Sequence, residues 1–145
     1  MVNMKLKLNE LTRLDDVIKL YDVYKDCMYM PTPDKFERKM RAYLADEAAR
    51  IYACLSGDIV VGMAVCVCAQ NSVLEIVGIA VERTRRCKGV GLYTISNIKN
   101  KYTDCTLYAE TDDDAVGFYR KCGFTVSEYM QQYDGQSVRR YKCTL

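Results

Sequence analysis

The chain contains no histidine and no tryptophan, and only two prolines and eight glycines among 145 residues. The missing histidine removes every mechanism built on imidazole, including Ser-His and Cys-His nucleophiles and His-ligated metals. So little proline and glycine, with no low-complexity tract, argues against a disordered chain. No apolar run approaches the ~20 residues needed to cross a bilayer. The N-terminus also lacks a cationic region followed by a long apolar core. A soluble, cytoplasmic protein with no membrane partner is therefore expected. The net charge of +2 is too small for a general nucleic-acid binder.

Half of the residues are apolar, enough for a core, and the length suits one domain over residues 1–145. Cysteine is plentiful, with eight residues, but no pair has C-x-x-C spacing, so neither a zinc site nor a redox motif is expected. Cys66 and Cys68 lie two apart in "GMAVCVCAQ". On a strand that spacing puts both on one face, and they read as buried thiols acting as small hydrophobes.

Met4 to Leu8 alternates and predicts a first strand. In "LTRLDDVIKLYDVYKDC", Leu14, Val17, Ile18, Tyr21 and Tyr24 fall at helical spacing, with Thr12 as a candidate cap. Pro31 and Pro33 break the chain, and a second helix is expected from Asp34 to about Ala45. Three strands follow, with turns at Ser56-Gly57-Asp58 and Gln70-Asn71-Ser72. A helix to about Lys101, a strand in "DCTLYAE", a helix in "DDDAVGFYRKC" and a hairpin around Asp134-Gly135 complete the order β-α-α-β-β-β-α-β-α-β-β. The fold class is α/β, a mixed and mostly antiparallel sheet flanked by helices. Its β-α-β unit should supply one parallel pair.

The positive charge is concentrated in one place. In "VERTRRCKGVGLYTISNIKN", Arg83, Arg85, Arg86 and Lys88 crowd before Gly89 and Gly91 at a helix start. First-turn amides lack intrahelical partners, and glycines let a ligand approach the backbone. The residues fit a phosphate site, and equally a tight strand-to-helix turn with solvated cations. Neither G-x-x-x-x-G-K-[ST] nor G-x-G-x-x-G is present.

Arg86-Cys87-Lys88-Gly89-Val90-Gly91 is an R-x-x-G-x-G that follows "EIVGIAV". A second block, Asp112 to Phe124, matches N-x-x-A-x-x-F-Y-x-x-x-G-F at every position but the first, where Asp112 replaces Asn. Together, in this order and spacing, they resemble the Gcn5-related N-acetyltransferases, the GNAT superfamily, over nearly the whole chain. The resemblance implies a GNAT-like acyl-CoA acyltransferase fold. It implies acetyl transfer from acetyl-CoA, used as a co-substrate, to an amine acceptor by direct attack in a ternary complex, with no metal.

By that resemblance, the amides of Cys87, Lys88, Gly89, Val90, Gly91 and Leu92 wrap the CoA pyrophosphate, while Arg86 and Lys88 add charge. Backbone amides of Ile79, Ala80 and Val81 serve the pantetheine arm and the oxyanion. Gly78 would tolerate a bulge that splays the strand. Asp112 replaces an Asn that often bonds the pantetheine arm, so that contact should be altered. Tyr119 matches the general acid for the leaving thiolate, although it also reads as a plain helix-face aromatic.

For the base, Glu75 stands inside the apolar run "VLEIVGIAV", where a carboxylate needs a reason. It also matches the catalytic Glu of Gcn5-type enzymes. Glu110, water, or a purely structural Glu75 are the alternatives. The strand Glu of ribosomal-protein N-terminal acetyltransferases would fall at Leu107 and is absent. Tyr24, Met28, Tyr29, Met30, Phe36, Tyr129, Met130 and Tyr133 could line an acceptor site, or could be core or homodimer contacts. A non-catalytic acyl-CoA sensor or interaction module is the reading of a different class. It would keep the loop without needing Tyr119 or Glu75.

Overall fold

The computed structural model describes residues 5–145; Met4, the expected start of the first strand, lies outside them. Among the described residues seven strands form one sheet: β1 (Leu6–Leu11), β2 (Ala49–Ser56), β3 (Ile59–Ala69), β4 (Val73–Val81), β5 (Thr106–Thr111), β6 (Thr125–Tyr133) and β7 (Gln136–Thr144). Their spatial order is β1-β2-β3-β4-β5-β7-β6. Only β4 and β5 pair in parallel; every other neighbouring pair is antiparallel. The β6–β7 hairpin closes on Asp134 and Gly135 at φ of 48° and 79°, the left-handed pair that a two-residue turn demands.

Five α-helical segments cover the sheet. The run read as one helix from Leu14 is broken into α1 (Leu14–Val17) and α2 (Tyr21–Tyr24), with tight 3₁₀ turns at Ile18–Leu20 and Lys25–Cys27. Leu20 departs from helical geometry with ψ of 8°, and the break leaves Val17, Leu20 and Tyr24 all buried on the sheet. Thr12 is not the cap. Arg13 holds that position with extended backbone, and its carbonyl takes the Asp16 and Val17 amides.

The second helix, α3 (Pro33–Ala45), begins as read. The Thr32 hydroxyl accepts from the Lys35 amide, and Pro33 sits in the first turn, where its missing N–H costs nothing. α4 (Val90–Lys101) and α5 (Val116–Lys121) follow the loop and β5. α5 is shorter than the sequence suggests, because the acids at 112–114 form the turn before it.

The helices sort onto two faces, so β3 is buried on both sides and reads as a continuous apolar run. α1 to α3 cover Ile51, Ala53, Met63 and Val65, with Phe36 and Met40 fully buried between. Burying a ring such as Phe36 is worth roughly 1.5–3 kcal/mol. α4 and α5 cover Leu74, Ile76, Leu107 and Ala109 on the opposite face. Cys66 is buried there, but Cys68 is exposed, contrary to expectation: it shares the face but sits near the strand end, at Leu74. All eight cysteines are free thiols. Among the described residues no helix is long and apolar enough to cross a membrane.

Candidate active site

The sheet opens in its middle. β4 and β5 pair only at Val73–Thr106, Leu74–Leu107 and Glu75–Tyr108. Immediately beyond, the register of β3 against β4 jumps: Cys66 faces Ile76, while Val65 faces Gly78. Val77 is therefore an extra residue, a bulge that bends β4. From Gly78 to Val81 the strand pairs with β3 alone, and β5 no longer follows it. On that edge the Ile79 and Val81 carbonyls take side-chain donors, Cys27 Sγ and Arg86 Nε, and the amides are left without a neighbouring strand. Gly78 has a second job. A Cβ on it would lie 2.0 Å from the Tyr24 hydroxyl, so the phenol packs directly on its backbone.

The loop after β4 carries two left-handed residues, Cys87 at φ 61° and Gly89 at φ 86°. Alternation of this kind is the backbone pattern that can turn successive amides towards one side, as in the anion-binding nests of helix starts. The two glycines of the motif answer different demands. A Cβ on Gly89 would meet nothing within 4 Å, so its backbone angle and the open space matter. A Cβ on Gly91 would lie 2.5 Å from the Phe118 ring, so that residue is small to let α5 pack on α4.

The charges of the loop are partly engaged. Arg86 donates through Nε to the Val81 carbonyl at 3.1 Å and through Nη2 to Asp26 at 2.9 Å. Arg83 grips the same carboxylate twice, at 3.0 and 2.9 Å. These hydrogen bonds hold the Asp26 carboxyl down from its usual 3.8 to about 2. Nothing in the sequence pointed to Asp26, because ion pairs between residues about sixty apart leave no local pattern. Lys88 and Leu92 are exposed, while Val90 and Gly91 are buried.

Tyr119 projects from α5 into the core on the α4–α5 face and is 5% exposed. Its ring is held edge-on between Phe118 and Phe124, with centroids 5.1 and 5.2 Å away. Burial raises its ionisation well above the ordinary phenol range, and nearby thiols, Cys143 and Cys27 foremost, add to this. It therefore stays a protonated donor at any neutral pH.

Glu75 ends the paired stretch of β4, at the apex of the gap. The alternation that puts Leu74 and Ile76 under α4 and α5 sends Glu75 to the other face, so it and Tyr119 approach the gap from opposite sides. Its carboxyl is raised above the usual range, first by burial and then by the charge of Glu110. Burial raises the Tyr43 phenol at the end of α3, with the Glu75 charge adding to it, and burial followed by Glu110 pushes Tyr108, the strand partner of Glu75, up to about 12. Glu110 is exposed and already accepts from the Tyr129 hydroxyl at 2.6 Å, while Lys142 lies 5.0 Å over the Tyr129 ring. Among the described residues Glu75 has no such hydrogen-bond partner, and its own basicity is raised.

Asp112 is occupied locally: its Oδ1 accepts from the amides of Asp114 and Ala115. Asp113 accepts from Arg139 at 3.0 Å and from the Tyr141 hydroxyl at 2.7 Å, tying the turn to β7. The residues read as acceptor-lining divide. Tyr24 and Phe36 are core; Tyr29, Met30, Met130 and Tyr133 are exposed. Tyr43 and Tyr108, which border Glu75, carried no motif that would have singled them out.

With this geometry in hand, comparison with known proteins is informative. The family model described as Acetyltransferase (GNAT) family matches residues 17–124. The fold is similar to a Bacillus subtilis acetyltransferase solved in complex with CoA (22% identity, 99% of this chain and 98% of that one, TM-score 0.67). It is also similar to a mutant of the Vibrio cholerae spermidine N-acetyltransferase (14% identity, 97% and 92% covered, TM-score 0.77). An acetyltransferase from Thermus thermophilus is similar too (16% identity, 98% of both chains covered, TM-score 0.75). At these identities the structural likeness speaks for the fold alone. No curated protein matches the chain.

Proposed function

Because the chain belongs to the GNAT acetyltransferase family, matched over residues 17–124, we propose that it transfers acetyl from acetyl-CoA to a primary amine of a small molecule, peptide or protein, within one domain. The observation that carries this reading is the gap at Glu75, where a bulged strand with open backbone meets a buried tyrosine on one face and a carboxylate on the other.

In this reading the loop from Cys87 to Leu92 takes the pyrophosphate, and the open edge at Ile79 to Val81 takes the pantetheine arm. The residues present fit that substrate: the loop is built on left-handed backbone, and the position of a Gly89 Cβ is open. The reacting amine enters from the Glu75 side. An alkylammonium titrates near ~10 and has no lone pair until it loses a proton. Glu75, made more basic by burial and by Glu110, accepts that proton directly or through one water. Nitrogen then bonds the carbonyl carbon, and the backbone amides at the open edge steady the oxyanion. As the C–S bond breaks, the Tyr119 hydroxyl donates a hydrogen bond to the departing thiolate. A phenol is a weaker acid than a thiol, so the donation helps only as negative charge builds on sulfur.

The spermidine enzyme among the similar structures, together with Glu75, Glu110 and the tyrosines on the acceptor face, makes basic amines the first acceptors to try. Thiol release from acetyl-CoA is to be measured against a panel of polyamines, amino acids and lysine peptides. Amine-dependent release abolished by Tyr119→Phe is expected. Binding of acetyl-CoA with no release by any amine would favour a sensor.

A further inference from the structure

Four tyrosines are buried among the described residues: Tyr24, Tyr52, Tyr119 and Tyr141. A buried hydroxyl left unpaired is costly, so it usually finds a partner. Tyr52 bonds Tyr102 at 2.6 Å, and Tyr141 donates to Asp113 at 2.7 Å. The hydroxyls of Tyr24 and Tyr119 have no hydrogen-bond partner among the described residues. They are not sealed either. Among those residues that are not exposed, the side-chain nitrogen or oxygen that is both shut off from solvent and unpaired is Arg140 Nε. Tyr24 and Tyr119 are thus buried up to an oxygen that stays open. Tyr24 ends α2 on the α1–α3 face, and its oxygen fills the place that a Gly78 side chain would take. Gly78 lies just past the bulge, where β5 has left β4. Tyr119 comes from the opposite face. Burial is the main cause that raises the Tyr24 phenol, and Tyr43, Cys27 and Tyr119 add to it. Both phenols therefore share a neighbourhood with Cys27, whose thiol donates to the Ile79 carbonyl at 2.8 Å, and both remain protonated donors. The turn after Tyr24 is clamped to the same wall, by Cys27 on Ile79 and by Asp26 on Arg83 and Arg86, so the phenol is held in place.

We propose that Tyr24 is a second catalytic phenol: its hydroxyl hydrogen-bonds the acetyl carbonyl oxygen of acetyl-CoA from the acceptor side, while Tyr119 serves the sulfur from the opposite face. The inference rests on the reading that the gap takes the thioester, with its arm along Ile79 to Val81. Gly78 directly precedes that edge. It faces the α1–α3 side, as Glu75 does, so the Tyr24 oxygen stands on the side from which the amine enters. As nitrogen bonds the carbonyl carbon, negative charge moves onto the carbonyl oxygen. A donor already fixed beside that oxygen, and bound to nothing else, strengthens its hydrogen bond at that moment without reorganising. The proton stays on Tyr24, and Glu75 still takes the proton of the amine. Glycine at 78 is what lets the phenol come so close to the strand, because any side chain there would occupy the place of its oxygen.

The test is Tyr24→Phe, which keeps the ring and removes the oxygen. Its melting curve should match that of the wild type, since the hydroxyl bonds no described residue of the free protein. Acetyl-CoA affinity by calorimetry and KM for the amine should change little. The kcat should fall by roughly 10- to 50-fold, less than the ~10²–10³ typical of one oxyanion-hole donor, because backbone amides share the charge. The rise of kcat/KM with pH should keep its ionisation, because Glu75 is untouched. A loss confined to KM would make Tyr24 an acceptor contact. A lowered melting temperature with lowered affinity would make it packing. A vanished ionisation would make it the holder of a water that serves Glu75. Each of these overturns the proposal. Combined with Tyr119→Phe, the two losses should multiply, because they act on different atoms; a double variant no slower than Tyr119→Phe alone would overturn it too. Should the wild type release no thiol with any amine, the acetyl-transfer reading falls first and this inference with it. A normal wild type beside a fully active Tyr24→Phe sinks this inference alone.

Discussion

The two walls of the gap are built from different materials. The wall formed by the end of β4 and the following loop offers backbone: a bulge at Val77, an edge from Gly78 to Val81 that β5 no longer covers, and left-handed residues at Cys87 and Gly89. The wall formed by β5, α5 and the β6–β7 hairpin offers side chains: Tyr119 in a box of aromatic rings, Tyr108 and Glu110 near Glu75, and Tyr129 bonded to Glu110. A backbone wall can hold a ligand that is always the same, because every peptide group presents the same donors and acceptors. A side-chain wall can tune chemistry and choose among acceptors, because each group has its own acidity and shape. Binding should therefore break on one wall and turnover on the other.

The largest expected effect is on the side-chain wall. Tyr119→Phe removes only the phenol oxygen and should cut kcat by roughly 10²-fold, the low end for one general acid, while leaving acetyl-CoA affinity nearly unchanged. Steady-state kinetics with the best acceptor, beside calorimetry, read the two separately. Full activity would mean that the ring only packs. Glu75→Gln should do less, and its effect should depend on pH. In the wild type kcat/KM should rise with pH through an ionisation set by the raised Glu75 carboxyl, since only the deprotonated form accepts the proton. The Gln variant should lose that ionisation yet recover at high pH, where the amine sheds its proton in solution. A Gln variant with the wild-type profile would make Glu75 structural and return the role to Glu110 or water.

How much of this was visible beforehand follows the same division. The β-α-β unit, the parallel pair, the hairpin at Asp134-Gly135 and the start of α4 were legible, because apolar periodicity, turn residues and glycine report on backbone. Membership of the family was legible for the same reason, being carried by a glycine loop and a helix signature. The gap at Glu75 was foreseen only through a glycine that could bulge; the bulge itself falls one residue earlier, at Val77. What escaped were pairings between distant side chains. The Asp26 clamp spans fifty-seven and sixty positions, and the Asp113 tie to Arg139 spans twenty-six. The broken first helix escaped because its apolar residues recur at three and four positions over a run too short to separate the 3.6-residue α period from the 3.0-residue 3₁₀ period. Gly91 was read as room for a ligand, when what sets its size is a ring from the next helix.

That last difference sharpens the comparison within the backbone wall. Gly89→Ala and Gly91→Ala look alike in sequence and should separate by experiment. At Gly89 the added methyl enters open space but strains a left-handed angle, costing about 1–2 kcal/mol, and stands where the anion would approach. The expected outcome is weaker acetyl-CoA binding with a modest fall in Tm. At Gly91 the methyl must displace the Phe118 ring, an overpacking cost of roughly 1–3 kcal/mol. The expected outcome there is a lower Tm, together with lost turnover as α5 and Tyr119 shift. Equal effects of the two substitutions on binding would erase the distinction drawn between them.

The smallest expected effect concerns a side-chain device on the backbone wall. Asp26 has its carboxyl lowered from 3.8 to about 2 in the folded protein, chiefly by the hydrogen bonds from Arg83 and Arg86. A carboxyl more acidic when folded than when unfolded stabilises the fold only while it is ionised in both states. That contribution is complete above about pH 5 and drains away as the pH falls through 3.8 towards 2, when the unfolded chain takes up its proton first. Asp26→Asn has no such proton to gain. The difference in Tm between wild type and Asp26→Asn should therefore be constant at neutral pH and close as the solution is taken down through that window. The site is exposed to solvent, so the gap to be closed is small and should shrink further in high salt. A gap that keeps its size at pH 2 would show that Asn fails for its shape and not for its missing charge, and the clamp would then be steric packing of the turn on β4 instead of an ion pair.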